Sequence, residues 1–299
     1  MKLKRRKATN LPIDWTKKEE QTLLDVLANQ KLEGKSIAKL FPKRSMASIR
    51  SKARKLKIKH DLFGNHYRQK KSSFTIDLAS KINPQNVFDA YAGAGHQSFE
   101  WIKFASRVYA SESMKTKIKQ FDLSAKKNGF LKLKKKKGNW FQYTKKNKKI
   151  FLLNGDLIEA ATDLRFRKIK IDTVDLDTCG STIPTLPILL ALLKPKHLLI
   201  THGEFHSMRF KREDVLRRLF THRDISKNPF PLKVDEMSKE LDKSVKTSAL
   251  RAHNETSKSF WLVLVKETWL GSKFHGMLRR YYSVKKPPAT SDCINVISK

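Results

Sequence analysis

Apolar positions fall into short runs closed by glycine or acidic residues through the middle of the chain, and into helical spacing near its start. Val87-Phe88 leads into Asp89-Ala90-Tyr91-Ala92-Gly93-Ala94-Gly95, the pattern of a buried strand that ends in a glycine turn and opens a helix. Arg107-Val108-Tyr109-Ala110-Ser111-Glu112 reads as a second strand, followed by an amphipathic segment over 114–128. Residues 150–153, ending in Asn154-Gly155-Asp156, and residues 170–177 read as two more, and 196–201 as a fifth. Strands alternating with helices four times call for an α/β fold with a parallel, doubly wound sheet. The segments 259–265 and 280–284 are expected as an antiparallel last pair. Ligands of such sheets bind beyond the carboxyl ends of the strands, where Gly93, Glu112, Asp156 and Asp177 all fall.

Ahead of the sheet, the period changes. In Asp14-Trp15-Thr16-Lys17-Lys18-Glu19-Glu20, Thr16 and Glu19 have the spacing of a capping box, and Leu23, Leu24 and Leu27 then share a helix face. Gly34 ends that unit; Ile37, Ala38 and Leu40 mark a second helix, and Arg44-Ser45 opens a third through Ile49, Ala53 and Leu56. The organisation expected is a basic arm at 1–13, a small three-helix domain at 14–58, a polar linker at 59–73, the α/β domain at 74–285 with a basic insertion at 131–149, and a tail at 286–299. Residues 221–258 are polar and carry little signal.

Gly93 and Gly95 let the main chain approach a ligand closely, and a carboxylate at the end of the second strand, Glu112, can accept both hydroxyls of a ribose. A dinucleotide site would place a third glycine at position 98, which is Ser98. Asp-x-x-x-Gly-x-Gly without that glycine resembles the first motif of S-adenosylmethionine-dependent methyltransferases.

The resemblance becomes specific over residues 85 to 205. The run from Phe88 to Gly95, Ala125-Lys126-Lys127-Asn128-Gly129, Asn154-Gly155-Asp156, and Val174-Asp175-Leu176-Asp177-Thr178-Cys179-Gly180-Ser181-Thr182-Ile183-Pro184 together resemble the catalytic domain of tRNA (guanine-N2-)dimethyltransferases. The resemblance implies a Rossmann-like class I methyltransferase sheet and S-adenosylmethionine as cofactor. It implies a cofactor site of Asp89, Tyr91, Ala92, Gly93, Gly95, Glu112 and Asp156, with Asp177 and the Thr178 carbonyl at the acceptor amine. The family has proline and then an aromatic residue where this chain has Thr178 and Cys179, so a base-stacking ring is lost there. Phe205 and His206 are candidates to replace it. Cys179 admits covalent attack on a cytosine ring, but its spacing differs by one from enzymes of that kind, and a small packing residue is the expectation.

The amino-terminal helices resemble a Myb or SANT-type domain through Trp-Thr-x-x-Glu-Glu, Leu-Leu, Ile-Ala-x-x-Leu and Arg-Ser-x-x-Ser-Ile. That implies a helix-turn-helix reader with Arg44, Ser48, Arg50 and Arg54 at nucleic acid; a protein-binding module is the other reading.

Charge agrees with a polyanionic partner. The chain has 64 basic and 28 acidic residues, a net charge of +36, which supplies sequence-independent affinity for phosphate. Residues 131–149 hold nine lysines, no acid and three aromatic residues. Lys135, Lys136, Trp140 and Lys145 are therefore expected to grip a strand, unless the rings instead pack the hairpin on the sheet. Two cysteines exclude a disulfide framework and a cysteine metal cluster, and no metal site is expected; His202, Glu204 and His206 lie on an irregular turn. A start without a hydrophobic region and the absence of a long apolar run point to an intracellular protein, in cytoplasm, nucleoid or nucleus, with no membrane partner.

Three functions fit. The favoured one is a DNA methyltransferase acting on an exocyclic amine; the alternatives are an RNA guanine-N2 methyltransferase, although no further RNA-binding domain follows the core, and a non-catalytic nucleic-acid-binding subunit serving a protein partner.

Overall fold

The computed structural model describes residues 14–28, 37, 39–56, 66–133, 139–178, 180–205, 214, 216, 233–256, 260–270 and 277–285. The chain divides into two compact units, residues 1–66 and 67–299.

In the first unit, α1 (Lys17–Ala28) and α2 (Met46–Lys55) enclose a small core of Leu23, Ile37, Phe41, Ile49 and Ala53, edged by Trp15, Val26 and Leu56. The capping box forms as its spacing requires: the Thr16 amide donates to Glu19 Oε2 at 2.9 Å, and the Glu19 amide donates to Thr16 Oγ1 at 3.2 Å. Ile37, Lys39 and Leu40 are helical, as expected of the second helix.

The second unit begins with α3 (His66–Ile82). It continues through β1 (Asn86–Asp89), α4 (His96–Trp101), β2 (Arg107–Glu112), α5 (Lys115–Lys127), β3 (Leu131–Lys132), β4 (Trp140–Lys145) and β5 (Lys148–Asn154). There follow α6 (Leu157–Phe166), β6 (Thr173–Asp177), α7 (Leu186–Leu193), β7 (His197–His202), α8 (Val234–Thr256), β8 (Trp261–Leu270) and β9 (Met277–Lys285). The nine strands form one sheet in the order β3-β4-β5-β2-β1-β6-β7-β9-β8. The central five are parallel, and the outer pairs are antiparallel. Alternation along the strands feeds two cores. Phe88, Tyr109, Val174, Leu176 and Ile200 face α6, α7 and α8, whereas Val87, Val108, Ala110, Ile150 and Leu199 face α3, α4 and α5. Each large side chain so buried contributes about 1.5–3 kcal/mol, and the two layers hold the strand ends in fixed register. No helix of the described residues is long and apolar enough to cross a membrane.

Two expectations need correction, and one open alternative is decided. Residues 66–73, read as linker, are the first half of α3, and the second unit takes them in from Tyr67. A polar start hid the helix, but Phe74, Leu78 and Ile82, four apart, seat its second half on the sheet. Residues 234–256, read as featureless, are α8, the longest described helix. It buries Met237, Leu241, Val245, Ala249 and Ala252, a 3–4 stripe that small residues make faint. The basic insertion is the sheet's own edge. β4 pairs with β5, and Trp140 and Tyr143 are buried, so these rings pack the hairpin on the sheet.

Candidate active site

The chain runs from β1 outward through β2 to β5, then crosses over β1 to β6 and β7. The order reverses between β1 and β6, which opens a crevice at their carboxyl ends, the place where doubly wound sheets bind ligands. Asp89 and Asp177 terminate the two strands.

The glycine turn after β1 is tied down by its neighbours. The Ala90 amide donates to the Asp175 carbonyl at 3.0 Å, Ala92 to Ser111 at 3.0 Å and Gly95 to Ala92 at 2.7 Å, while Ser111 Oγ donates to the Ala90 carbonyl at 2.6 Å. Gly93 and Gly95 have φ of +54° and +85°, a region that disfavours any side chain. They differ in surroundings. A Cβ on Gly95 would meet Phe99 at 2.6 Å and Phe121 at 2.8 Å, whereas one on Gly93 would meet nothing within 4 Å. Gly95 is glycine to fit the core, and Gly93 borders open space at the crevice.

The other expected cofactor positions line the same edge. Glu112 ends β2, with Oε1 accepting from the Met114 amide at 2.8 Å. Its carbonyl accepts from the Gly155 amide at 3.2 Å, joining the second and third turns. Asp156 caps α6, its Oδ1 accepting from the Ile158 and Glu159 amides at 2.8 Å each, which aligns a carboxylate with the positive end of that helix. Burial raises the pKa of the half-buried Tyr91 phenol; a hydrogen bond with Thr185 opposes this, and Asp156 adds to it.

Beneath the turn is a charged cluster that sequence reasoning missed except for Asp89 and Asp177. Asp89, Asp175 and Asp177 project on the same face of adjacent strands, towards α3 and α4. Arg279 of β9, fully buried, donates to Asp175 Oδ2 and Thr201 Oγ1 at 2.7 Å each and to Thr75 Oγ1 at 3.1 Å. Trp101 Nε1 donates to the same Asp175 oxygen at 2.7 Å. Lys71 of α3 reaches both carboxylate oxygens of Asp177 at 2.7 Å. Burial opposes the ionisation of Asp177, but the charges of Lys71 and Arg279 and hydrogen bonds from Lys71 and Thr201 outweigh it and hold the carboxyl below its ordinary range. Asp89 goes the other way. Burial first, and then the charge of Asp175, push it up to about 8 against the Ser98 hydroxyl, which donates to Oδ2 at 2.6 Å. The cluster thus sets Asp175 and Asp177 against Lys71 and Arg279, while burial favours the protonated form of Asp89. His96, at the start of α4, is held below its ordinary value by burial and by Arg68, Lys117 and Lys71, with Asp177 opposing. Lys71 and Arg279 had no sequence signal because each lies in an element distant from every motif; only the alternation Asp175-Leu176-Asp177 hinted at a second buried acid.

Thr178 Oγ1 accepts from the Gly180 amide at 3.1 Å; Cys179 lies outside the described residues. Phe205 does not replace the missing base-stacking ring. It is 2% exposed and packs edge-on against Trp269 in the core, so it has no face to offer; His206 lies outside the described residues. His202 and Glu204 are buried, 3.4 Å apart.

The expected nucleic-acid contacts divide. Arg44 donates to both oxygens of Glu19 and to the Asp14 carbonyl at 2.6–2.9 Å and sits over the Trp15 ring. That hydrogen bond, with the Thr16 amide, holds Glu19 down to about 2. Ser48 Oγ accepts from Trp15 Nε1 at 3.3 Å. Both are thus committed within the unit. The side chains of Arg50 and Arg54, and Lys135 and Lys136 entirely, lie outside the described residues. Lys145 donates to the Asn128 carbonyl at the end of α5 at 2.8 Å, and Trp140 Nε1 donates to Asp163.

No protein-family model and no curated protein matches the chain. Solved structures do. Trm1 from Pyrococcus horikoshii in complex with S-adenosyl-L-methionine aligns with a TM-score of 0.59 at 14% identity over 75% of this chain and 56% of that one. Trm5b from Pyrococcus abyssi aligns at 0.45 and 13% identity over 73% and 49%, and the N-methyltransferase NodS from Bradyrhizobium japonicum at 0.45 and 10% over 75% and 99%. This chain spans little more than half of Trm1 and about half of Trm5b. The likeness to Trm1 shows the fold, that of a Rossmann-like methyltransferase.

Proposed function

We propose that the protein is an S-adenosylmethionine-dependent methyltransferase acting on an exocyclic amine of a nucleobase in RNA. The observation that carries the reading is Asp177. At the switch point of a methyltransferase sheet it is kept ionised, and both of its oxygens already hold a nitrogen cation, Lys71, at 2.7 Å. An ionised carboxylate that receives N–H donors there suits the amine of a base entering the crevice.

The residues present fit the cofactor, since open space flanks Gly93 and Glu112 and Asp156 follow along the same edge. S-adenosylmethionine supplies an electrophilic methyl group when bound. The chain's part is positioning: Asp177 and the Thr178 carbonyl accept from the amine, turn its lone pair towards the methyl group and exclude water, so no strong base is required before attack. The amine would give up one proton in accepting the methyl group, and Asp177 or solvent would receive it. Lys71 must yield its place when the base arrives.

Sequence reasoning favours duplex DNA through the amino-terminal helices. Two of the four residues expected to bind it there, Arg44 and Ser48, are spent inside their own unit, and the motifs over 85–205 resemble tRNA (guanine-N2-)dimethyltransferases while the fold aligns with Trm1; both considerations support RNA. The test is tritiated-methyl transfer to unmodified tRNA transcripts, single-stranded RNA and duplex DNA. RNA labelling that Asp177→Asn reduces at least about a hundredfold, with cofactor affinity retained, is expected of an interaction made in the transition state. Labelling of duplex DNA alone restores the DNA reading, and cofactor binding without transfer to any substrate, partners added, leaves a non-catalytic subunit.

A further inference from the structure

A second concentration of chemistry lies away from the crevice, on the opposite face and towards the other end of the strands. Tyr109 of β2 and Phe151 of β5 are register partners whose rings stack at 5.1 Å with 12° between their planes, and Trp140 meets Tyr109 edge-on at 6.2 Å. Gln142, opposite Phe151 in register, adds an amide, and Leu164, Arg167 and Ile169 close the other side from the end of α6. The cavity between them is about 300 Å³. One carboxylate braces wall and rim, because Asp163 accepts from both Trp140 Nε1 and Arg167 Nε.

The rim is basic. Arg165-Phe166-Arg167-Lys168-Ile169-Lys170 leaves α6 with every cation exposed, and Phe166 is 86% exposed. Across the mouth, Arg107 and Lys149 are register partners at the start of β2 and β5. The nearby acids are occupied, Asp163 as above and Asp172 by the Gln85 and Asn86 amides at 2.9 and 3.0 Å.

We infer that this cavity holds a base of single-stranded RNA, with the flanking phosphates on Arg165 and Lys168 and a neighbouring base on Phe166. The half-buried Phe151 ring can stack on any base, with the buried Tyr109 and Trp140 backing it as a rigid wall, and the half-buried Gln142 amide offers a donor and an acceptor to a base edge. The volume is at the low end of ligand pockets, suited to one base rather than a larger ligand. Asp177 and the cavity lie on opposite faces of the sheet, and β2 and β1 separate β6 from β5, so an RNA that occupied both would have to pass around the sheet edge. The cavity is an anchor with no part in methyl transfer. It rests on the function proposed above only for the choice of RNA over single-stranded DNA.

The test is binding alone, which separates its failure from failure of the methyltransferase reading. The probe is a twelve-nucleotide oligouridylate carrying one 4-thiouridine, with the full-length protein. Arg165→Glu with Lys168→Glu, both exposed, should weaken binding about tenfold or more and lower the salt slope by about 1.4, since two phosphates are then left without a cation at roughly 0.7 each on single strands. Phe166→Ala should cost about fivefold or more, as loss of a stacked base does. Melting temperature and S-adenosylmethionine affinity should be unchanged in both, and cross-links should map to the peptides of Trp140, Phe151 or Phe166. Unchanged affinity in the charge-reversal variant, cross-links confined to other peptides, or an equal loss on duplex DNA of the same length would each overturn the base-binding site.

Discussion

Asp89 and Asp177 are the same residue type at the ends of adjacent strands, yet their surroundings drive them to opposite protonation states. Asp89 accepts from the Ser98 hydroxyl and faces a neighbouring carboxylate in a dry site, whereas Asp177 has Lys71. Consequences for stability follow with opposite signs. The raised pKa of Asp89 means that the folded state binds its proton more tightly, so its contribution is complete below the ordinary carboxylate value and lost as pH rises towards 8. Asp89→Asn, which cannot ionise, should gain on the wild type in thermal unfolding between about pH 5 and 9. Parallel curves would show Asp89 ionised throughout. The depressed pKa of Asp177 contributes above the ordinary value and is lost as pH falls below it. Lys71→Met should cost on the order of 2 kcal/mol at about pH 7, less than for a fully buried pair because both side chains retain some solvent. The cost should shrink in acid; urea unfolding at about pH 3 and 7 tests it. The places of Asp89 and Glu112 at strand ends and of Gly93 in the turn were legible because strand-turn-helix chemistry is local. Arg279 was not, since its meaning comes from Asp175, 104 positions away and brought close only by sheet order.

At the scale of elements, the glycine turn is one motif with two physical reasons behind it. Gly95→Ala must push against the Phe99 and Phe121 rings at positive φ, and overpacking plus backbone strain together cost about 2–4 kcal/mol. Gly93→Ala pays only the backbone term, about 1–2 kcal/mol, because no atom is in its way. The proposed cofactor site predicts that Gly93→Ala nevertheless loses S-adenosylmethionine affinity out of proportion to its small stability loss. Calorimetric titration beside chemical unfolding of the two variants decides this, and unimpaired binding by Gly93→Ala would move the cofactor away from that turn. The elements that sequence reasoning found are those with strong period or turn chemistry: β1, β2, β5, β6 and β7, the antiparallel pair β8 and β9, and the helices α1, α2 and α5. It missed α3 and α8 because their buried stripes are diluted, by lysines ahead of Phe74 in one and by alanine and serine in the other. For the insertion it left two uses open, gripping a strand or packing the hairpin on the sheet, and burial of Trp140 and Tyr143 agrees with the second.

For the whole molecule, a charge of +36 makes some affinity for RNA unavoidable, so binding as such says little and its salt dependence says more. The two units hold this charge in different settings. The first has a core of only five buried apolar residues among those described and commits Arg44 internally, while the second contains the crevice and the basic rim around Arg167. If the first unit also neutralises phosphates, a chain starting at Tyr67 should bind S-adenosylmethionine with unchanged affinity, because Gly93, Glu112 and Asp156 lie in the second unit. It should bind RNA more weakly, with the slope of log affinity against log salt reduced by about 0.7 for each phosphate that the first unit had neutralised. Filter binding across a salt series reads this directly. An unchanged slope would assign the amino-terminal helices to a protein partner and leave RNA recognition wholly to the sheet domain, with Arg165 and Lys168 among its cations.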